Sequence, residues 1–112
     1  MKTKDELHEV KTALLAQHKK VRTLEVPLDE DDDSKIATLF LKKPDKDIRN
    51  MIGTLANKPN TPNSKIIEAT LKALYIGGDD LNLVLSNDDA FAACDEALSE
   101  LLSVQKAVLK KN

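Results

Sequence analysis

Two acidic stretches have the residue types that could hold a metal ion. Asp29-Glu30-Asp31-Asp32-Asp33 offers five carboxylates in a row, the hard oxygen ligands calcium prefers. An EF-hand loop starting at Asp29 would place Ser34 where glycine makes the sharp turn. It would also place Phe40 where the bidentate glutamate belongs, so the pattern fails. The run reads instead as a solvated hairpin tip whose like charges discourage sheet pairing. Gly77-Gly78-Asp79-Asp80 is similar to the acidic metal-binding turn of polymerases and cyclases. Those turns sit on a hairpin in a much larger domain and work with a nucleotide. Here the glycines follow a helical pattern, and they are expected to stop that helix in the left-handed conformation glycine tolerates.

The remaining candidates are few. His8 and His18 lie ten apart on one expected helix with no cysteine or HExxH partner, which is poor zinc chemistry. Cys94, the single cysteine, falls in the apolar register of the last helix and reads as a small core residue rather than a nucleophile. There is no nucleophile elbow, Walker loop or dinucleotide fingerprint. The expectation is a protein that is not an enzyme, with no cofactor, no metal site and no small-molecule substrate.

The totals point the same way. Seventeen Lys and Arg against nineteen Asp and Glu give a formal charge of −2, which speaks against a nucleic-acid binder with a basic face. The aromatic residues are Phe40, Tyr75 and Phe91, too few for a stacking platform. One cysteine excludes an intramolecular disulfide. MKTKDELHEVK has no apolar run of signal-peptide length. No stretch approaches the roughly 20 apolar residues of a membrane span, so the expected location is the cytoplasm. A length of 112 residues bounds the chain to one domain, 1–112, with a thin core.

The positioning elements follow from periodicity. Residues 4–19 read as a helix opened by a Thr3–Glu6 capping box. Its stripe of Leu7, Val10 and Leu14 is narrow, so residues 1–19 are expected to dock weakly on the 20–112 body, to dock on a partner, or to swing free. Leu24, Val26 and Leu28 alternate with Thr23, Glu25 and Pro27 in a strand over 21–28. Pro27 places that strand at an edge or a strand end. A second strand, 35–43, has apolar residues on both faces and is expected to be covered on both sides. The two form a hairpin with its acidic tip at 29–34. A helix runs from Pro44, at its first turn, to about Asn57, with Ile48, Met51, Ile52 and Leu55 inward. KPNTPN (58–63) is a loop. Ser64 caps a helix over 65–76 whose inner face is Ile66, Ile67, Thr70, Leu71 and Leu74. Leu81–Leu85 is a helical turn or an extended pass across the core.

The last helix, roughly 88–110, is capped by Ser86 or Asn87, with Asp88 and Asp89 at its positive end. Phe91, Cys94, Leu98, Leu101 and Val108 lie in one register, with Gln105 in the sixth slot. Ala97, Leu102, Val104 and Leu109 widen the stripe to nearly half the circumference. Such a helix spans about 35 Å, as wide as a domain of this size. Its last turns therefore reach the surface still apolar, and Leu98, Leu101, Leu102, Gln105, Val108 and Leu109 form the candidate partner-binding surface. The fold class is α+β: an N-terminal helix, a β-hairpin, then three or four helices ending in a long amphipathic one.

The order of these elements resembles the small tail assembly chaperones of long-tailed bacteriophages and prophages. The similar features are a charged helix (DELHEVKTALLAQHKK) feeding a strand (VRTLEVPL), and a strand ending in a lysine–proline turn (ATLFLKKPDKD). After them come LYIGGDD, DDAFAACDEALSELL and a lysine-rich end, VQKAVLKKN. The resemblance spans nearly the whole chain; the long acidic tip and the KPNTPN loop depart from it. It implies a non-enzymatic cytoplasmic protein that binds the helical, aggregation-prone tape measure protein before the tail tube forms, and that can self-associate as a homo-oligomer. The family has no catalytic residues to carry over. The alternatives are a structural tail or connector subunit that stays in the virion, and a small cytosolic adaptor that binds a partner through the acidic tip.

Overall fold

In the computed structural model the described residues are 1–102, and the architecture is α+β. The element order is α1 (Lys4–Gln17), β1 (Val21–Pro27), β2 (Ile36–Lys42), α2 (Lys46–Ala56), α3 (Asn63–Leu74), β3 (Tyr75–Gly78), α4 (Asn82–Leu85) and α5 (Asp88–Leu102). The strands form an antiparallel sheet in the order β1-β2-β3.

The hairpin register explains which face is which. Leu24 pairs with Leu39 and Val26 with Ala37, so these four side chains share one face. They join Leu41, Leu71, Leu74, Val84, Ala90, Cys94 and Leu98 in the core, against α3, α4 and α5. Leu39, Leu71 and Leu74 are fully sequestered, each contributing about 1.5–3 kcal/mol of transfer free energy. Pro27 closes β1, an edge strand, where a missing N–H is tolerated.

The opposite face carries α1. Phe40 pairs with Gly77 across β2 and β3, and Phe40 is buried. A Cβ on Gly77 would lie 3.0 Å from Leu14 Cδ1 and 3.3 Å from Val10 Cγ1. The missing side chain is therefore what lets α1 close on the sheet. Central strand β2 is covered on both sides, as its two-faced apolar pattern predicts. Helix α1 has no fully buried residue, in keeping with its narrow stripe, yet it is docked. Its capping box forms, with Glu6 N donating to Thr3 Oγ1 and Thr3 N to Glu6 Oε1, both at 3.2 Å.

Several expectations are corrected. The segment 75–78 is not the end of a helix: α3 stops at Leu74 and the chain turns extended at Tyr75, φ −63° and ψ 126°. Gly77 and Gly78 lie in β3, so neither is a C-cap. Pro44 lies outside α2, whose cap is Asp45, with Oδ1 accepting from Ile48 N at 2.8 Å. Helix α3 begins at Asn63 after Pro62 and has no side-chain cap, so Ser64 does not serve as one. Met51 is 44% exposed, because it sits about 60° from Ile48 on the helical wheel, at the margin of a short helix. Leu81–Leu85 resolves as the helical turn α4. Asn87, rather than Ser86, caps α5. Its Oδ1 accepts from Ala90 N at 3.1 Å and its Nδ2 donates to Leu28 O at 2.9 Å, tying the cap to the hairpin.

Candidate interaction surface

The residues that could have done chemistry have structural positions. Cys94 is 1% exposed, and its Sγ donates to Ala90 O at 3.3 Å. Burial pushes its thiol up to about 11, so it stays protonated and is a poor nucleophile. His8 and His18 stand on or beside α1, and among the described residues no group of three or more His, Cys, Asp or Glu is placed to hold a metal ion. At the hairpin tip, Asp29 Oδ1 accepts from Asp31 N at 2.9 Å and Asp32 Oδ1 from Ser34 N at 3.0 Å. Hydrogen bonds from the Ser34 hydroxyl and amide hold the Asp32 carboxyl below its ordinary value. These are local turn contacts.

Asp79, weighed in the sequence only as part of an acidic metal-like turn, has a structural role that sequence reasoning missed. It is 1% exposed, and both of its carboxyl oxygens are used. Lys2 N donates to Oδ1 at 2.7 Å and Thr38 N to Oδ2 at 2.8 Å. Asp79 N donates in return to Thr38 O at 2.8 Å, and Tyr75 Oη donates to Asp79 O at 2.9 Å. One side chain thus joins the segment before α1, the central strand and the exit of β3. Burial raises the Tyr75 phenol, with Asp80 and Asp79 adding to the shift, so its hydroxyl remains a donor. Gly78 makes the latch possible. Its φ is +106°, and a Cβ there would lie 2.4 Å from Thr38 O. The signal available in the sequence was Tyr75-Ile76, a β-preferring pair too short to declare a strand.

The predicted partner surface divides along α5. Leu98 is 3% exposed and belongs to the core; it is not available to a partner, a correction to its place in the candidate set. The cause is that Leu98 shares the inward row with Cys94 and Ala90, at the spacing that stacks side chains on one helix face. Leu101 and Leu102 are half-buried, with Leu101 packed on the core margin. Arg49 Nη1 donates to Leu102 O, tying this end of α5 to α2. Gln105, Val108 and Leu109 lie outside the described residues.

Beside this end of α5 runs an open groove of about 770 Å³, between the helix and the open end of the hairpin. Leu24, Pro44, Ala97 and Leu101 give it apolar wall, and Lys20, Arg22, Lys43 and Arg49 line it with positive charge. Arg22 pairs with Leu41, so it projects from the core face of the sheet, on the groove beside α5.

Among the described residues no helix is long and apolar enough to cross a membrane. Comparison of the chain with protein-family models, with curated proteins and with solved structures gives no match, and its surface must be read from its own residues.

Proposed function

We propose that this protein is a non-enzymatic tail assembly chaperone of the long-tailed bacteriophage and prophage type, working in the host cytoplasm to hold the tape measure protein during tail assembly. The reading rests on the ordered resemblance along nearly the whole chain. The structural observation that supports it is the last described turn of α5, where Leu101 and Leu102 are half-buried beside an open groove lined by both apolar and basic residues. Holding an apolar helix needs such a strip, with reversible affinity rather than an enclosed pocket.

Co-expression with a fragment of a tape measure protein tests the proposal. The expected result is rescue of the fragment's solubility and a complex that co-purifies. Leu102→Glu should abolish the rescue while the protein keeps its circular dichroism spectrum and melting temperature. A fragment that stays insoluble, with no complex detectable by cross-linking, overturns the reading. Detection of the chain in purified particles would replace it with that of a structural tail subunit.

A further inference from the structure

Strand β1 lies at the edge of the sheet, and the hydrogen bonds around it fix which of its backbone groups point outward. Leu28 N donates to Lys35 O at 2.8 Å where the hairpin opens into its turn. The alternation of an antiparallel ladder then turns the N–H and carbonyl of Val26, Leu24 and Arg22 toward β2, and those of Glu25, Thr23 and Val21 away from it. The far side of β2 agrees. Thr38, the partner of Glu25, bonds Asp79 there through both its N–H and its carbonyl. Among the described residues no hydrogen bond outside the β1–β2 ladder reaches Val21, Thr23 or Glu25, and Thr23 and Glu25 are exposed. These residues present a row of unpaired donors and acceptors, the template on which another strand can pair.

The surroundings of this edge say what would pair with it. Arg22 and Leu24 face the groove beside α5, and Thr23, which faces the other way, lines it too. The groove therefore reaches the edge of the strand and not only its face. Its cations Lys20, Arg22, Lys43 and Arg49 outnumber Glu100, and Ala97 and Leu101 supply apolar wall. On the opposite face Thr23 lines a second depression with Glu25, Ile36 and Phe40. That depression mixes Glu25 and Asp33 with Lys2, Lys4 and Lys11, so it favours neither sign. Pro27 and the charges of Arg22 and Glu25 blunt the edge against indiscriminate pairing, but Pro27 withdraws a donor only at the end of β1. A second copy is disfavoured there, because it would bring its own groove cations against these. Residues 103–112 carry three lysines and no acidic side chain, the same wrong sign.

We propose that β1 takes an extended segment of a partner protein as a fourth strand of the sheet, with acidic side chains at alternate positions facing the groove and uncharged, β-branched ones facing the other way. In strand addition the main chain supplies affinity and the alternating side chains supply selection. The segment's N–H and carbonyl groups pair with Val21, Thr23 and Glu25, and its carboxylates meet Arg22 and the lysines beside it. The pairing edge does not include Leu102, so the proposal does not depend on what the end of α5 holds.

The probe is a blocked peptide of alternating glutamate and valine, seven residues long to match β1, titrated into the isotope-labelled full chain and followed by NMR. In the free protein the Thr23 and Glu25 amides should exchange with solvent far faster than those of Leu24 and Val26. With peptide at about 1 mM, enough to occupy even a loose site, the Val21, Thr23 and Glu25 amides should shift and their exchange should slow. Methylating the alternate peptide nitrogens that bond β1 should weaken binding at least about tenfold, and methylating the other set should cost less than about threefold. Which set is sensitive reports whether the added strand runs antiparallel or parallel. Arg22→Gln with Lys43→Gln should weaken the glutamate peptide severalfold, and a lysine–valine peptide should not bind. Thr23 and Glu25 amides that are already protected in the free protein overturn the proposal, and so do edge amides that the glutamate peptide leaves unshifted. Equal tolerance or equal loss with the two methylated peptides, or a lysine peptide that binds as well, also overturns it.

Discussion

Replacing Gly78 with alanine should be among the most damaging single-methyl additions the chain can suffer. At φ +106° an L-residue sits in a backbone region that costs on the order of 1–3 kcal/mol. The added Cβ would also meet Thr38 O at 2.4 Å, Leu39 Cα at 3.2 Å and Phe40 N at 3.3 Å. All three are backbone atoms of the central strand, so no rotamer change relieves the clash. Relief requires β3 to move away from β2, which breaks the two 2.8 Å hydrogen bonds between Asp79 and Thr38, worth roughly 1 kcal/mol or more each. The sum is about 3–6 kcal/mol against a total stability of order 5–15 kcal/mol. Gly77→Ala is the control. Its Cβ would meet side-chain methyls of Leu14 and Val10, which can yield, so its cost should be about 1 kcal/mol and fall on the docking of α1. Urea unfolding followed by far-UV circular dichroism measures both. Amide exchange at Lys2 and Thr38 should speed up sharply in Gly78→Ala, because both amides hang on Asp79. A Gly78→Ala protein within about 1 kcal/mol of wild type, or one less affected than Gly77→Ala, refutes the account of the latch.

The division of α5 into core and surface predicts that Leu98→Ala costs about 2–5 kcal/mol, while Leu102→Ala costs less than about 1 kcal/mol; the same unfolding titration reads both, and equal costs would place the boundary elsewhere. Cys94 should resist a thiol reagent at pH 8 in the native protein and react at once in urea; fast native labelling would contradict its burial. Its thiol, near 9 as an ordinary group and about 11 in the fold, is neutral in both states below pH 9, where its contribution to stability is complete. That contribution should decline as pH rises from 9 to 11, because the unfolded chain gives up the proton first.

The sheet edge and some of the caps were legible from local signals, whereas Ser64 and Gly77-Gly78 were misread as caps. The capping box at Thr3 and Glu6, the alternation through Val26, the two-faced apolar run of β2 and a cap at Ser86 or Asn87, which the structure resolves to Asn87, each depend on neighbours a few residues away. Leu98 was legible as apolar but not as core, since the same helical stripe serves a core and a partner equally well until its neighbours are in place.

Sequence by itself determined the α+β class, the hairpin with its acidic tip, and the amphipathic character of the last helix, because side-chain periodicity records which face of an element will be dry. Only the tertiary structure decided what Gly77, Gly78 and Asp79 are for. Their partners are Leu14, Thr38 and Lys2, far away along the chain. A glycine that stops a helix and a glycine that lets two strands touch look alike in one dimension. They part only when folding brings a second backbone within 3 Å of the missing methyl.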